Sequence, residues 1–279
     1  MYLSLNAVPI GGQLAWPDFA RLASNTGFIG VDLMLDSAMK EGIERTQGLL
    51  QQLQLRPAYV GLPVEFRKDE STFTTGLAKL EEAAPFAAAI GCPRMMTHLM
   101  SSSDTPKDEL RRTYKKRFML CADILARSHC RLGLEFLGAL HLRKQFPHEF
   151  IWKMPEMLQF AKECGPNVGL TLDAWHWHHS GGTTQDILAA GHDRIVVVHF
   201  DDAAKIAPEE VRDNQRVLPG EGIIDLTGFL QALQKIGYQD SLSVEVFGRG
   251  LKDMPPEQSA QLCHEYGLRA LNKAGISEK

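Results

Sequence analysis

The chain has 279 residues, 44% hydrophobic and 23% charged, with a formal net charge of −4. This is the composition of an ordinary globular protein with a sizeable core, and the length suits one α/β barrel of about 250 residues. The acidic balance gives no basic footprint for nucleic acid or an anionic membrane surface, and no apolar run approaches the ~20 residues that span a bilayer.

The chain opens on an apolar run, Met1 to Pro9, with no basic leader ahead of it, so a cytoplasmic location is expected. Cys92, Cys121, Cys130, Cys164 and Cys263 are odd in number and none lies in a CxxC pair. They are expected as reduced thiols rather than as a disulfide or zinc framework.

From the N-terminus onward, short β-type runs alternate with longer amphipathic segments. Strands are expected at 2–8, 30–34, 56–61, 94–98, 132–136, 168–173, 195–200 and 242–247. Helices are expected at 16–26, 39–53, 74–90, 106–129, 153–164, 184–190, 226–236 and 256–274. Pro17 fits an early helical position, and Gly27, Gly91, Gly165, Gly191 and Gly237 fit helix exits. No linker or low-complexity stretch divides the series, so one domain over 1–279 is expected. Eight strands each followed by a helix is the count for a (β/α)8 TIM barrel. An open doubly wound sheet has less support, because the first strand–helix turn, Val8-Pro9-Ile10-Gly11-Gly12, is not a dinucleotide fingerprint and no Walker loop occurs.

Strands of a parallel barrel should be near-continuous apolar runs, since both faces are covered. The last four break that rule near their C-terminal ends, with Glu135, Asp173, His199 and Glu245. That end is where barrel enzymes place their chemistry. Three carboxylates converging there would repel one another unless a cation joined them. Taken singly, each could be a hydrogen-bonded rim residue; four on successive strands point to one divalent metal site. Mostly oxygen donors with one imidazole suit Mn2+, Zn2+, Co2+ or Mg2+.

Asp173-Ala174-Trp175-His176-Trp177-His178-His179 reads as a loop, with His176 as the expected substrate contact. His178 and His179 are expected at the surface or behind the site, and the tryptophans over the barrel rim. The long connection after His199 carries Arg216, either a fork of donors for substrate oxygens or a partner for a neighbouring aspartate. His98, at the end of the fourth strand, is expected in the pocket but outside the ligand set.

Several of these pieces together resemble the xylose isomerase-like barrel family of sugar isomerases and epimerases. They are Leu134-Glu135-Phe136-Leu137-Gly138, residues 168–178, His199-Phe200-Asp201-Asp202, residues 216–226 and Ser243-Val244-Glu245-Val246-Phe247. Within that family the chain is most similar to keto-inositol isomerases, strongly from about Leu132 onward and thinly before it. The resemblance implies that Glu135, Asp173, His199 and Glu245 bind one metal and that Glu135 and Glu245 also carry protons. It implies too that His176 and Arg216 touch the substrate, a small sugar or cyclitol. The expected reaction is isomerisation or epimerisation of a keto-sugar or keto-inositol through a cis-enediolate, with a homo-oligomer left open. The segment 137–152 departs from the likeness as a basic insertion over the mouth.

Rival expectations are a lyase or hydrolase acting on a 3-keto-glycoside and, with less support, a DNA-repair endonuclease or a barrel that binds sugar without turning it over. An endonuclease would need more metals, more histidine ligands and a basic face.

Overall fold

The computed structural model describes residues 1–12 and 14–279. Its barrel strands, in chain order, are Tyr2–Leu5, Gly30–Val31, a third in two pieces (Arg56–Pro57 and Val60–Gly61), Arg94–Leu99, Arg131–Phe136, Val168–Asp173, Ile195–His199 and Ser241–Val244. Each pairs in parallel with the next, and the eighth pairs with the first. The third strand is the seam. Its first piece pairs with the second strand and its last piece with the fourth, so both ends of the ladder belong to one strand and the sheet closes. Every residue of the sixth and seventh strands is buried, as a sheet covered on both faces requires.

The helices form the outer layer, and two of the eight expected ones differ in extent from the sequence expectation. The expected helix 39–53 is two, Leu35–Glu41 and Ile43–Gln52, broken at Gly42, whose φ of 85° suits glycine. The expected helix 74–90 begins earlier, at Glu70, because the Asp69 side chain accepts a hydrogen bond from the Thr72 N–H and caps it. No helix among the described residues is long and apolar enough to cross a membrane. All five cysteines are free and buried.

Several hydrogen-bonded strands stop earlier than the apolar runs suggest. Asn6, Asp32 and Glu245 therefore stand just past the ends of the first, second and eighth strands, at the C-terminal mouth. Two short antiparallel ladders build on that mouth. Ser102–Ser103 pairs with His148–Glu149, and Asp202–Ala203 pairs with Arg216–Val217, which returns the long connection over the site.

Candidate metal centre

Strand register decides which side chains meet. Asp173 pairs with His199, and His199 with Ser243, so these side chains point to one side of the sheet. Glu245 lies two residues beyond Ser243 and Asp173 two beyond Thr171, the partner of Glu135. The two-residue period of a strand brings all four to the barrel interior.

One donor atom from each of Glu135, Asp173, His199 and Glu245 falls within 4.8 Å of all the others. His199 Nδ1 is the centre of the group, 3.0 Å from Glu135 Oε1, 3.2 Å from Glu245 Oε2 and 3.7 Å from Asp173 Oδ2. Donors around a tetrahedral ion with bonds of about 2.1 Å lie roughly 3.4 Å apart, so the spacing fits an ion of that size. The charge fits as well. Glu135, Asp173, Asp201 and Glu245 crowd a buried region whose cations are Arg216 and, when protonated, His199.

The protonation preferences of these groups follow from that crowding. Burial pushes Glu135 up to about 7 against the pull of His199. Burial would also raise Glu245, but His199 and Arg216 hold it below its ordinary value. Asp173, for all its burial, is held well below the carboxylate range by Arg216, His176 and His199. Its neighbour Asp201 is pushed well above that range by burial and by Asp173 itself. Burial works against a charged His199, yet Glu245, Tyr59 and Glu135 raise it well above an ordinary imidazole.

Arg216 is ion-paired, one of the two roles that the sequence left open. Its guanidinium is buried, with Nη1 2.6 Å from Asp173 Oδ2, 2.7 Å from Asp201 Oδ2 and 3.2 Å from Glu245 Oε2. Asp213 closes the other side at 2.9 Å from Nη2. The loop bearing Arg216 is fastened by Asp202, whose carboxylate accepts the backbone N–H groups of Ala203, Gly220, Gly222 and Ile224 at 2.8–3.0 Å.

The expected loop after Asp173 is instead a short helix, Ala174–His179, because the Asp173 side chain caps it by accepting the His176 N–H at 2.7 Å. That folds His176 inward, 1% exposed, with Nδ1 3.3 Å from the Gly138 N–H and Nε2 3.2 Å from Arg216 Nη2. His176 stands behind Arg216 rather than in the open mouth. Trp175 and Trp177 are buried; His178 and His179 are half-buried, with the His179 ring against Trp175. His98, beside Glu135 in register, is exposed and lies outside the ligand group. In the 137–152 segment the basic Arg143 is stacked over Trp152 and paired with Glu149.

The sequence reading missed a polar network directly behind His199. The Tyr59 hydroxyl lies 3.1 Å from His199 Nε2 and 3.1 Å from Asn6 Nδ2. Asp32 anchors the network, accepting from Ser4 Oγ, Asn6 Nδ2 and Ser243 Oγ. Asp32 carries the signal that gave Asp173, an acid at the end of an apolar strand.

The geometry agrees with the comparisons. The model of a family described as xylose isomerase-like TIM barrel matches residues 18–267. The chain belongs to this family. An inosose isomerase of Bacillus licheniformis is 34% identical over 107 residues, 38% of each chain. The inosose isomerase of Bacillus subtilis is 27% identical over 176 residues, 63% of this chain and 61% of the relative. A 3-dehydroshikimate dehydratase of Pseudomonas putida is 32% identical over 108 residues, 38% of this chain and 16% of the relative. The chain thus matches 61% or less of the length of each of these relatives. Among solved structures, a xylose isomerase domain protein from Alicyclobacillus acidocaldarius superposes with a TM-score of 0.89 at 27% identity, over 99% of both chains. A structure described as IOLI protein with a binding zinc atom gives a TM-score of 0.83 at 21% identity, over 98% of this chain and 99% of the other.

Proposed function

We propose that the chain is a metal-dependent isomerase or epimerase of a keto-sugar or keto-inositol, acting by proton transfer through a cis-enediolate. The observation that carries this reading is the convergence of Glu135, Asp173, His199 and Glu245 within 4.8 Å. The inosose isomerases among its relatives and the zinc described for a structure of the same fold support it. Those four residues would hold one divalent ion, Mn2+, Zn2+, Co2+ or Mg2+, which when bound supplies Lewis acidity toward a carbonyl and its adjacent hydroxyl.

The rest is the work of the chain's own residues. Glu135 and Glu245 come from the fifth strand and from just beyond the eighth, with the strands of Asp173 and His199 between them. One removes the proton next to the carbonyl and the other returns a proton to the neighbouring carbon or the opposite face. Arg216, 3.2 Å from Glu245, places a fixed cation where oxyanion charge develops, and His176 behind it holds the guanidinium fork in place. The substrate contact in this proposal is made by Arg216; His176, expected from the sequence to touch substrate as well, would act through the guanidinium it supports.

The dehydratase likeness favours one second reading, elimination of a leaving group β to the carbonyl from the same enolate. One experiment separates the two. Keto-inositols, ketohexoses and 3-keto-glycosides are incubated with the Mn2+-loaded protein in heavy water, and products are read by mass and NMR. An isomerised or epimerised product with deuterium next to the carbonyl is expected, with Glu135→Gln and Glu245→Gln slower by about 10²–10⁴ at measured metal content. A product that has lost a leaving group would move the reading to a lyase. Isomerisation without any exchange would overturn proton transfer.

A further inference from the structure

We infer that the outward face of the helix Lys107–Arg127 is a self-association surface, on which a second copy of this chain packs the same helix antiparallel across a two-fold axis. On its inner face the helix buries Leu110, Tyr114, Phe118, Cys121 and Leu125. Opposite them stand Glu109, Arg112, Lys116, Met119, Asp123 and Arg127, all exposed and spaced three or four apart as one stripe.

Two features set this stripe apart from an ordinary solvated face. Met119 and Leu120 are adjacent, 44% and 39% exposed, and line a groove of about 360 Å3 with Arg112, Lys115, Lys116 and Asp123. Single exposed apolar residues are normal on a surface; a neighbouring pair in a groove is a contact surface. The second feature is charge. Lys107, Arg111, Lys115 and Arg127 pair with Glu156, Glu163 and Glu81 of neighbouring helices. Among the described residues, Glu109, Arg112, Lys116 and Asp123 make no ion pair within the chain.

The order of those charges decides the occupant and its direction. An axis between Met119 and Leu120 sets each Met119 against Leu120 of the other copy. One turn outward, Lys116 faces Asp123 of the other copy. Arg112 and Arg127 then fall level, but each is a long side chain one turn from an acid, Asp123 for the first and Glu109 for the second. Arg127 keeps 61% of its side chain exposed beside Glu81, so it can reach. A parallel pairing would instead set Asp123 on Asp123 and Lys116 on Lys116. Exposed ion pairs add little affinity, so the apolar pair holds the contact and the charges choose its direction. One helix pair is a small interface, and the dimer is accordingly weak, with a Kd about micromolar or higher.

The test reads mass and geometry. Sedimentation equilibrium at low salt follows wild type upward from 31.1 kDa as concentration rises. Asp123→Lys makes the middle of the stripe basic, and Arg112→Glu with Lys116→Glu makes it acidic. Each variant alone should dimerise at least about 10-fold more weakly, because like charges then meet. An equimolar mixture of the two should recover association, since each introduced charge then faces its opposite. All three positions are exposed, and thermal melts check folding. Direction is read with cysteine. The native thiols are buried, so Met119→Cys and Ala126→Cys each add one reachable thiol. Oxidation should cross-link Met119→Cys, whose two copies flank the axis. It should spare Ala126→Cys, whose copies lie about 20 Å apart along antiparallel helices. A chain that stays monomeric at every concentration would overturn the inference and leave the stripe to a different partner. Reversed variants that dimerise like wild type, a mixture that does not recover, or cross-linking of Ala126→Cys in place of Met119→Cys would overturn it too.

Discussion

Arg216 Nη1 lies 2.6 Å from Asp173 Oδ2, with the arginine side chain 2% and the aspartate 0% exposed. The pair is sealed from water, and the same nitrogen serves Asp201 and Glu245. Arg216 is therefore the permanent counter-charge of a cluster that carries more carboxylates than cations.

Removing that charge should be costly. Arg216→Met keeps much of the side chain's bulk but leaves buried carboxylates without their partner, a loss of about 3–5 kcal/mol for a broken buried pair. Urea denaturation of the chelator-treated protein measures it. Mn2+ should recover part of the loss, because a second cation then serves the same carboxylates. A variant as stable as wild type without metal would show that the carboxylates are already protonated.

Metal removal is the second expectation. An ion that binds only the folded chain stabilises it by RT ln(1 + [L]/Kd), about 2.7 kcal/mol at a hundredfold excess over Kd. Melts in EDTA should lie below melts in Mn2+, Co2+ or Zn2+. Substituting His199→Ala, which removes the central donor, should abolish the difference. An identical melting temperature with and without metal in wild type would leave the four-residue cluster without an ion to hold.

The third expectation concerns pH. Burial pushes the Asp32 carboxyl from 3.8 up to about 6, against the pull of Ser243 and Ser4. Between those values the unfolded chain has already lost this proton while the folded chain keeps it, so Asp32 makes stability fall as pH rises through the window. The shift corresponds to a loss on the order of 3 kcal/mol. Asp32→Asn has no such proton. Its stability relative to wild type should rise by that order between about pH 4 and pH 7. Parallel pH profiles for the two proteins would assign the fall to other groups.

Asp173, His199, Glu135 and Glu245 were legible because each interrupts an apolar strand at its C-terminal end, and the fold puts all such ends at one mouth. Asp32 obeys the same rule. In the expected strand 30–34 it falls in the middle rather than at the C-terminal end, and only the structure, which ends that strand at Val31, places it at the mouth. Tyr59 gives no signal at all, since a tyrosine in a strand is ordinary, and only the closed ring brings its hydroxyl to His199. The helix Ala174–His179 was hidden by composition. Histidine and tryptophan are middling helix formers, and the turn is set by the Asp173 cap and by tertiary packing. The inward fold of Arg216 depends on the Asp202 anchor, a contact between residues up to 22 apart that no local pattern announces.

The last expectation tests how the 137–152 segment reaches the metal site. Gly138 follows the fifth strand, two residues after it ends, and lies flat against the helix Ala174–His179. A Cβ there would stand 2.2 Å from the His176 carbonyl oxygen and 2.7 Å from the Ser180 N–H nitrogen. Both are backbone atoms, so no rotamer change relieves the clash. Gly138→Ala must therefore push the segment and the short helix apart. Overpacking of this kind costs about 1–3 kcal/mol. The displacement also has a direction. The helix is capped by Asp173, and His176 on it is bonded to both Gly138 and Arg216, so moving the helix moves a metal donor and the arginine together. Gly138→Ala should lose metal affinity as well as stability, although position 138 is no ligand. The comparison is Gly61→Ala, at a strand glycine where a Cβ would meet nothing within 4 Å. That variant should retain metal affinity, measured by Co2+ titration at a temperature where both proteins are folded. If Gly138→Ala is less stable yet binds Co2+ as wild type does, the short helix moves without Asp173, and the cap does not couple the segment to the site.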